Sequence, residues 1–206
     1  MEQFTSITAI AAPLLRINID TDAIIPSREM RTVGKTGLAR GMFAGWRYKA
    51  PGSREENPDF ILNREPYRQA RILLSGANFG CGSSREHAVW ALHEWGIRSI
   101  IAPSFGAIFA SNCVRNGILP VVLDNAIVES LARHVQADPA KHLLTVSLVD
   151  CTVSTVAGER HGFTIPPADR EMLLEGLDAI AVTLKRDDEI RAFQERDRQR
   201  RPWIYL

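Results

Sequence analysis

Between residues 70 and 136, short apolar runs alternate with helix-period stripes three times, joined by links of only a few residues. Ile72, Leu73 and Leu74 make a run fit for a buried strand within 71–75. Ala88, Ala91, Leu92 and Trp95 follow at i, i+3, i+4 and i+7, one apolar stripe of a helix that Gly96 would close. Residues 99–102 read as a second strand. The next helix has Ser104 placed to cap it, Phe105, Ile108 and Phe109 on its inner face, and Gly117 at its end. Residues 118–123 are a third strand and 126–135 a further helix. Strands separated by whole helices pair in parallel, so this pattern predicts an α/β fold with a helix-covered parallel sheet.

The flanks are less regular. Residues 1–69 are rich in Gly, Pro and Arg and read as irregular. Residues 143–165 look like an added antiparallel strand pair, joined near Ala157-Gly158-Glu159. Helices are expected at 167–176 and 187–200, the latter acidic early and basic late, as the helix dipole favours. The apolar tail Pro202-Trp203-Ile204-Tyr205-Leu206 is expected to dock, on this chain sooner than on a partner.

Composition removes several classes. With 25 Lys+Arg against 24 Asp+Glu, the net charge of +1 excludes a basic nucleic-acid surface as the main theme. Cys81, Cys113 and Cys151 are odd in number and far apart, which argues against a disulfide framework and for a reducing, cytoplasmic setting. No C-x-x-C pair is present, so no zinc or iron–sulfur site is expected in this chain alone. No apolar run is long enough to span a membrane, and the run at 9–15 is broken by Pro13, against a signal peptide.

The chemistry concentrates in Asn78-Phe79-Gly80-Cys81-Gly82-Ser83-Ser84-Arg85-Glu86-His87, between a strand and a helix. There the backbone N–H groups and the positive helix end face any anion. Two glycines permit a tight turn, two serines supply hydroxyls, and Arg85 supplies a fork that matches a carboxylate. The competing reading is structural: Ser83 and Glu86 form S-x-x-E, a capping box, and the glycines only serve the turn. The dinucleotide, P-loop and hydrolase-elbow patterns all fail here, because Arg85 stands where a glycine is needed or the Gly-Lys-Ser/Thr string is missing. A small anion carrying carboxylates is the better match.

Gly82-Ser83-Ser84-Arg85-Glu86-His87-Ala88 resembles the signature of the aconitase superfamily's swivelling domain. Asn18-Ile19-Asp20-Thr21-Asp22-Ala23-Ile24-Ile25-Pro26, Asn57-Pro58-Asp59-Phe60, Ile101-Ala102-Pro103-Ser104-Phe105, Leu119-Pro120-Val121 and Gly176-Leu177-Asp178 narrow the resemblance to the small-subunit family of 3-isopropylmalate dehydratase. It covers nearly the whole chain.

The resemblance implies a swivelling β/β/α domain over 1–206, with a helical tail at 187–206. It implies a hydro-lyase of leucine biosynthesis that interconverts 2- and 3-isopropylmalate by losing and regaining water. It implies a heterodimer or higher assembly with a large subunit, which carries a [4Fe–4S] cluster, and a small dicarboxylate substrate. By the same resemblance Ser83 matches the catalytic base, Ser84 and Arg85 match carboxylate-binding residues, and Asp22 matches an acidic residue that orients a substrate-binding arginine. Asp20 and Thr21, flanking it, read as capping and turn residues.

The loop 27–35 offers Arg28, Arg31 and Lys35 as a second substrate-binding cation, and no spacing selects among them or against solvated loop charges. Its Glu29-Met30 pair departs from the family's usual isopropylmalate pattern, leaving citramalate, dimethylmalate and homoaconitate as alternative substrates. A non-catalytic anion-binding module and an independent serine hydrolase are the readings from other classes. Cys81 reads as a packing residue, His87 as packing below the turn, Asn112, Arg115 and Asn116 as an exposed polar face, and Trp46-Arg47-Tyr48 as core.

Overall fold

The computed structural model describes residues 1–30 and 34–205. The predicted alternation is present: β3 (Ile72–Ser75), α3 (Glu86–Trp95), β4 (Ser99–Ala102), α4 (Ala107–Arg115), β5 (Leu119–Val122) and α5 (Asn125–Ala137). Before them come β1 (Ser6–Ala9), β2 (Ala11–Leu14), α1 (Thr21–Ile24) and α2 (Ala44–Arg47). After them come β6 (Leu144–Ser147), β7 (Thr152–Thr155), β8 (Arg160–Gly162), α6 (Pro167–Glu175), α7 (Ala179–Leu184) and α8 (Asp187–Arg200).

Among the described residues two four-stranded sheets result. One is parallel in the order β2-β3-β4-β5, and the other is antiparallel in the order β1-β6-β7-β8. The parallel sheet is buried on both faces, which explains its continuous apolar strands. Successive residues point to opposite faces. Ala12, Leu73 and Ile100 enter one core with α3, while Ala11, Ile72, Leu74 and Ile101 enter a second core with α5 and the antiparallel sheet.

The N-terminal region departs from its irregular reading. It contributes one strand to each sheet: β1 pairs with β6, and β2 pairs with β3. Pro13 lies within β2, which is tolerated because β2 is an edge strand with one side free of ladder bonds. The expected strand pair at 143–165 is three strands. The Ala157-Gly158-Glu159 turn joins β7 to β8, and a second turn over 148–151 joins β6 to β7. Helix α7 is an addition to the expected elements; Asp178 caps it by accepting from Ala181 N at 2.7 Å.

Two local expectations at α4 fail. Gly106, not Ser104, precedes the helix, and Ile108 is 56% exposed while Phe109 is buried. The tail folds back on its own α8: Asp197 accepts from Arg201 Nε at 2.7 Å and Tyr205 OH at 2.8 Å. Trp203 and Ile204 stay exposed. Among the described residues no helix is long and apolar enough to cross a membrane.

Candidate functional site

The segments leaving the carboxyl ends of β2 and β3 zip together as an extension of the parallel sheet. Gly76 N donates to Arg16 O, Asn18 N to Ala77 O at 2.9 Å, Gly80 N to Ile19 O at 2.7 Å, and Thr21 N to Cys81 O at 3.0 Å. Asn18 and Asn78 both adopt left-handed backbone, and their amides pair at 2.9 Å. The loop after β4 closes the third side. Phe79 N donates to Ser104 O, Gly106 N donates to Phe79 O, and Ser104 Oγ accepts from Asn78 N at 2.8 Å. Ser104 therefore ties two loops together, which is why it caps no helix.

Gly80 is required on two counts. Its φ is +72°, and a Cβ there would fall on the ring of Phe109. Phe79 and Phe109, 5.3 Å apart edge-on, make the apolar floor beneath the turn.

This zipper brings three of the predicted residues together. Asp22, in α1, forms an ion pair with the Arg85 guanidinium immediately before α3. Ser83 is exposed beside them. The capping box does not form: Ser83 Oγ lies 3.3 Å from Thr21 Oγ1, and Glu86 accepts from Asn116 Nδ2 at 2.8 Å instead. Among the described residues no side chain caps α3; Ala88 N turns back to Arg85 O at 3.2 Å, and the Glu86 and His87 amides ahead of it are left for an anion. Ser84 is exposed at the same entrance.

The other candidates are dispersed. Arg28 lies 3.7 Å from Glu29, and Lys35 Nζ lies 3.4 Å from Asn116 Oδ1 and over the Trp90 ring. Arg31 lies outside the described residues. Glu29 and Met30 are both held by the rest of the fold. The Glu29 side chain is 8% exposed and bonded to Arg54 at 2.7 Å, and Met30 packs on the core. Both hold the loop down.

Sequence reasoning misses two residues. Thr21 reads as a turn residue, yet its hydroxyl meets Ser83; its burial at 2% has no sequence signal. Asn116 reads as surface. It is half-buried and serves Trp90 Nε1, Glu86, Lys35 and the Asn112 carbonyl at once. Asn112 is buried too, and of that trio only Arg115 is exposed. Arg47 and Tyr48 are core as expected, and His87 packs on Trp90 at 4.8 Å.

Glu94, on α3, anchors the far end of the basic loop. Its carboxylate accepts from Gly37 N at 2.5 Å, Leu38 N at 2.6 Å and Ala39 N at 2.7 Å. Burial pushes its pKa up, but the three donors outweigh it and hold the group below its ordinary value. Glu94→Gln is expected to cost about 1 kcal/mol at neutral pH, a value discounted because the site is exposed. A depressed carboxylate stabilises the fold above its unfolded pKa of about 4.3 and loses that contribution as pH falls through the folded value. Denaturant melts from pH 7 downward should therefore show the full gap between wild type and Glu94→Gln at pH 7 and a gap that shrinks once the pH falls below about 4.3.

Among the described residues no three His, Cys, Asp or Glu side chains gather as a metal site. Cys113 is fully buried and its thiol is pushed well above its usual range by burial. Cys81 and Cys151 lie in separate turns. These residues do not fit an iron–sulfur cluster.

Comparison with known proteins adds identity to this geometry. The family profile for the aconitase C-terminal domain matches residues 1–126. The profile for the C-terminal domain of 3-isopropylmalate dehydratase small subunits matches residues 180–205. A 3-isopropylmalate dehydratase small subunit of Cupriavidus necator is 62% identical over 206 residues, covering 100% of this chain and 99% of the relative. One of Rhodospirillum centenum is 47% identical over 203 residues, covering 98% of each. One of Neisseria meningitidis serogroup C (strain 053442) is 46% identical over 212 residues, covering 100% of this chain and 99% of the relative. The crystal structure of a 3-isopropylmalate dehydratase from Methanocaldococcus jannaschii shares the fold, with a TM-score of 0.63 at 24% identity, over 92% of this chain and 99% of that one.

Proposed function

The chain belongs to the family of 3-isopropylmalate dehydratase small subunits, and from that premise we propose that it supplies the proton-removing serine, Ser83, to a hydro-lyase site completed by a large subunit. The observation that carries this reading is the Asp22–Arg85 pair beside Ser83 at an uncapped helix N-terminus. A serine hydroxyl is far too weak an acid to ionise in water. We assign the stabilisation of an oxyanion on Ser83 to the positive end of α3, which begins three residues on, and to the Arg85 guanidinium.

Asp22 engages one edge of Arg85, which fixes the fork and leaves its remaining donors for a substrate carboxylate. Ser84 adds a hydroxyl donor there. Removing a proton from carbon next to a carboxylate places negative charge on that carboxylate, so Arg85 binds the transition state more tightly than the ground state. Arg28, Arg31 and Lys35 are proposed as the source of a second carboxylate contact, on a loop tied down by Glu29 and Glu94. The [4Fe–4S] cluster, and what it supplies to the departing hydroxyl, is assigned to the large subunit. Residues 1–206 are read as one swivelling domain, since each sheet takes a strand from the N-terminus, and the three unpaired cysteines support a cytoplasmic setting.

The test is reconstitution with the cognate large subunit under anaerobic conditions with iron and sulfide. The unsaturated diacid should appear from 3-isopropylmalate and much more slowly from citramalate or dimethylmalate. Activity on another diacid alone moves the substrate. No activity on any diacid, with the cluster intact, contradicts the proposal.

A further inference from the structure

We propose that Thr21 is a positioning residue whose O–H turns from Ser83 O to donate to Ser83 Oγ when that oxygen becomes anionic. This rests on reading Ser83 as the base. The Thr21 backbone is fixed on both sides: its N–H donates to Cys81 O at 3.0 Å, and its carbonyl accepts from Ile25 N at 3.0 Å. Its side chain is buried, with Oγ1 3.0 Å from Ser83 O and 3.3 Å from Ser83 Oγ. The hydroxyl therefore has two acceptors of one residue within reach and a single proton to give.

With Ser83 neutral, Thr21 donates to Ser83 O and accepts from Ser83 Oγ–H. An oxyanion has no proton to donate, so that arrangement loses one of its two bonds. Turning the Thr21 O–H toward Ser83 Oγ replaces the lost bond with a charge-assisted one. The Ser83 carbonyl is not orphaned by the turn, because Arg85 N also donates to it at 2.8 Å. The same residue that fixes the turn thus provides a spare donor.

Proton balance follows directly. Ser83 Oγ–H, which is exposed, first gives its proton to solvent water; Ser83 Oγ⁻ then takes the proton from the substrate carbon and becomes a hydroxyl again. The C–H electron pair becomes the second bond of C=C as the neighbouring hydroxyl leaves. Thr21 then turns back to Ser83 O. In the hydration direction the order reverses.

The experiment compares Thr21→Val, Thr21→Ser and Ser83→Ala in the assembled two-subunit enzyme, with kcat and KM measured from acid to alkaline pH. Loss of a hydrogen bond to a charged group predicts a kcat lowered about 10- to 100-fold in Thr21→Val, with KM nearly unchanged. The acid limb of its kcat profile should move up by about one pH unit or more. Thr21→Ser should restore both. If Thr21→Val does not assemble, Thr21→Cys, of similar size but a weak donor, should show the same limb shift in smaller measure. A wild-type kcat and limb in Thr21→Val or Thr21→Cys overturns the proposal while an inactive Ser83→Ala keeps the base. Loss that Thr21→Ser does not rescue also overturns it, as a purely structural role. An active Ser83→Ala instead overturns the reading on which the proposal stands.

Discussion

Ser83→Ala is expected to lower kcat by about 10³-fold in the assembled enzyme, the middle of the range for loss of a positioned acid–base group. Assembly and melting temperature should not change. Ser83 is exposed, and the turn is held mainly through its carbonyl, by Thr21 Oγ1 and Arg85 N, its side chain adding only the longer 3.3 Å contact to Thr21 Oγ1. Removing the hydroxyl therefore removes chemistry without a packing defect. Substrate binding should persist, since Arg85 and the open amides of α3 are untouched. The readout is kcat beside KM: a fall in the first with the second unchanged marks a group used in the transition state. Ser83→Cys, with a softer and more acidic group, is not a rescue, because the turn was shaped around an oxygen.

Arg85→Lys is the second large effect, with an expected loss of about 10²-fold in kcat/KM. Lysine keeps the charge and loses the fork. Asp22 already takes part of the guanidinium, so the carboxylate depends on the donors that remain. A single ammonium cannot satisfy Asp22 and the substrate with the same geometry. Both KM and kcat should suffer, because the same carboxylate is held in the ground state and gathers charge as the proton leaves. Asp22→Asn should lose less, since it loosens the fork without removing it. Steady-state kinetics on the three enzymes decides the order.

The parallel core is legible because its signal is local: apolar runs of strand length separated by helical stripes closed at Gly96. What escapes the sequence depends on distant partners. β1 is four residues long, and its partner β6 lies at the other end of the chain. β2 carries Pro13, which argues against a strand unless the strand is known to be an edge. The turn over 148–151 has no Gly, Asn or Pro to mark it, and Cys151 takes the left-handed backbone there at φ +51°.

At the site, the residue types and the turn can be read, while the partners of each side chain cannot. Ser83 and Glu86 have the spacing of a capping box, but Thr21 and Asn116 compete for them and win. Ser104 has the look of a cap and is taken by the Asn78 amide. In each case a short-range pattern loses to a group that the fold brings from 26 or more residues away.

The central claim is that Ser83 of this chain takes the proton. It is tested most directly with 3-isopropylmalate deuterated at the carbon that loses hydrogen, given to the assembled enzyme while the unsaturated diacid is followed by absorbance. The wild type should show a primary isotope effect on the first turnover, and Ser83→Ala should bind the substrate yet form the diacid about 10³-fold more slowly. Diacid formed by Ser83→Ala at the wild-type rate would contradict the account.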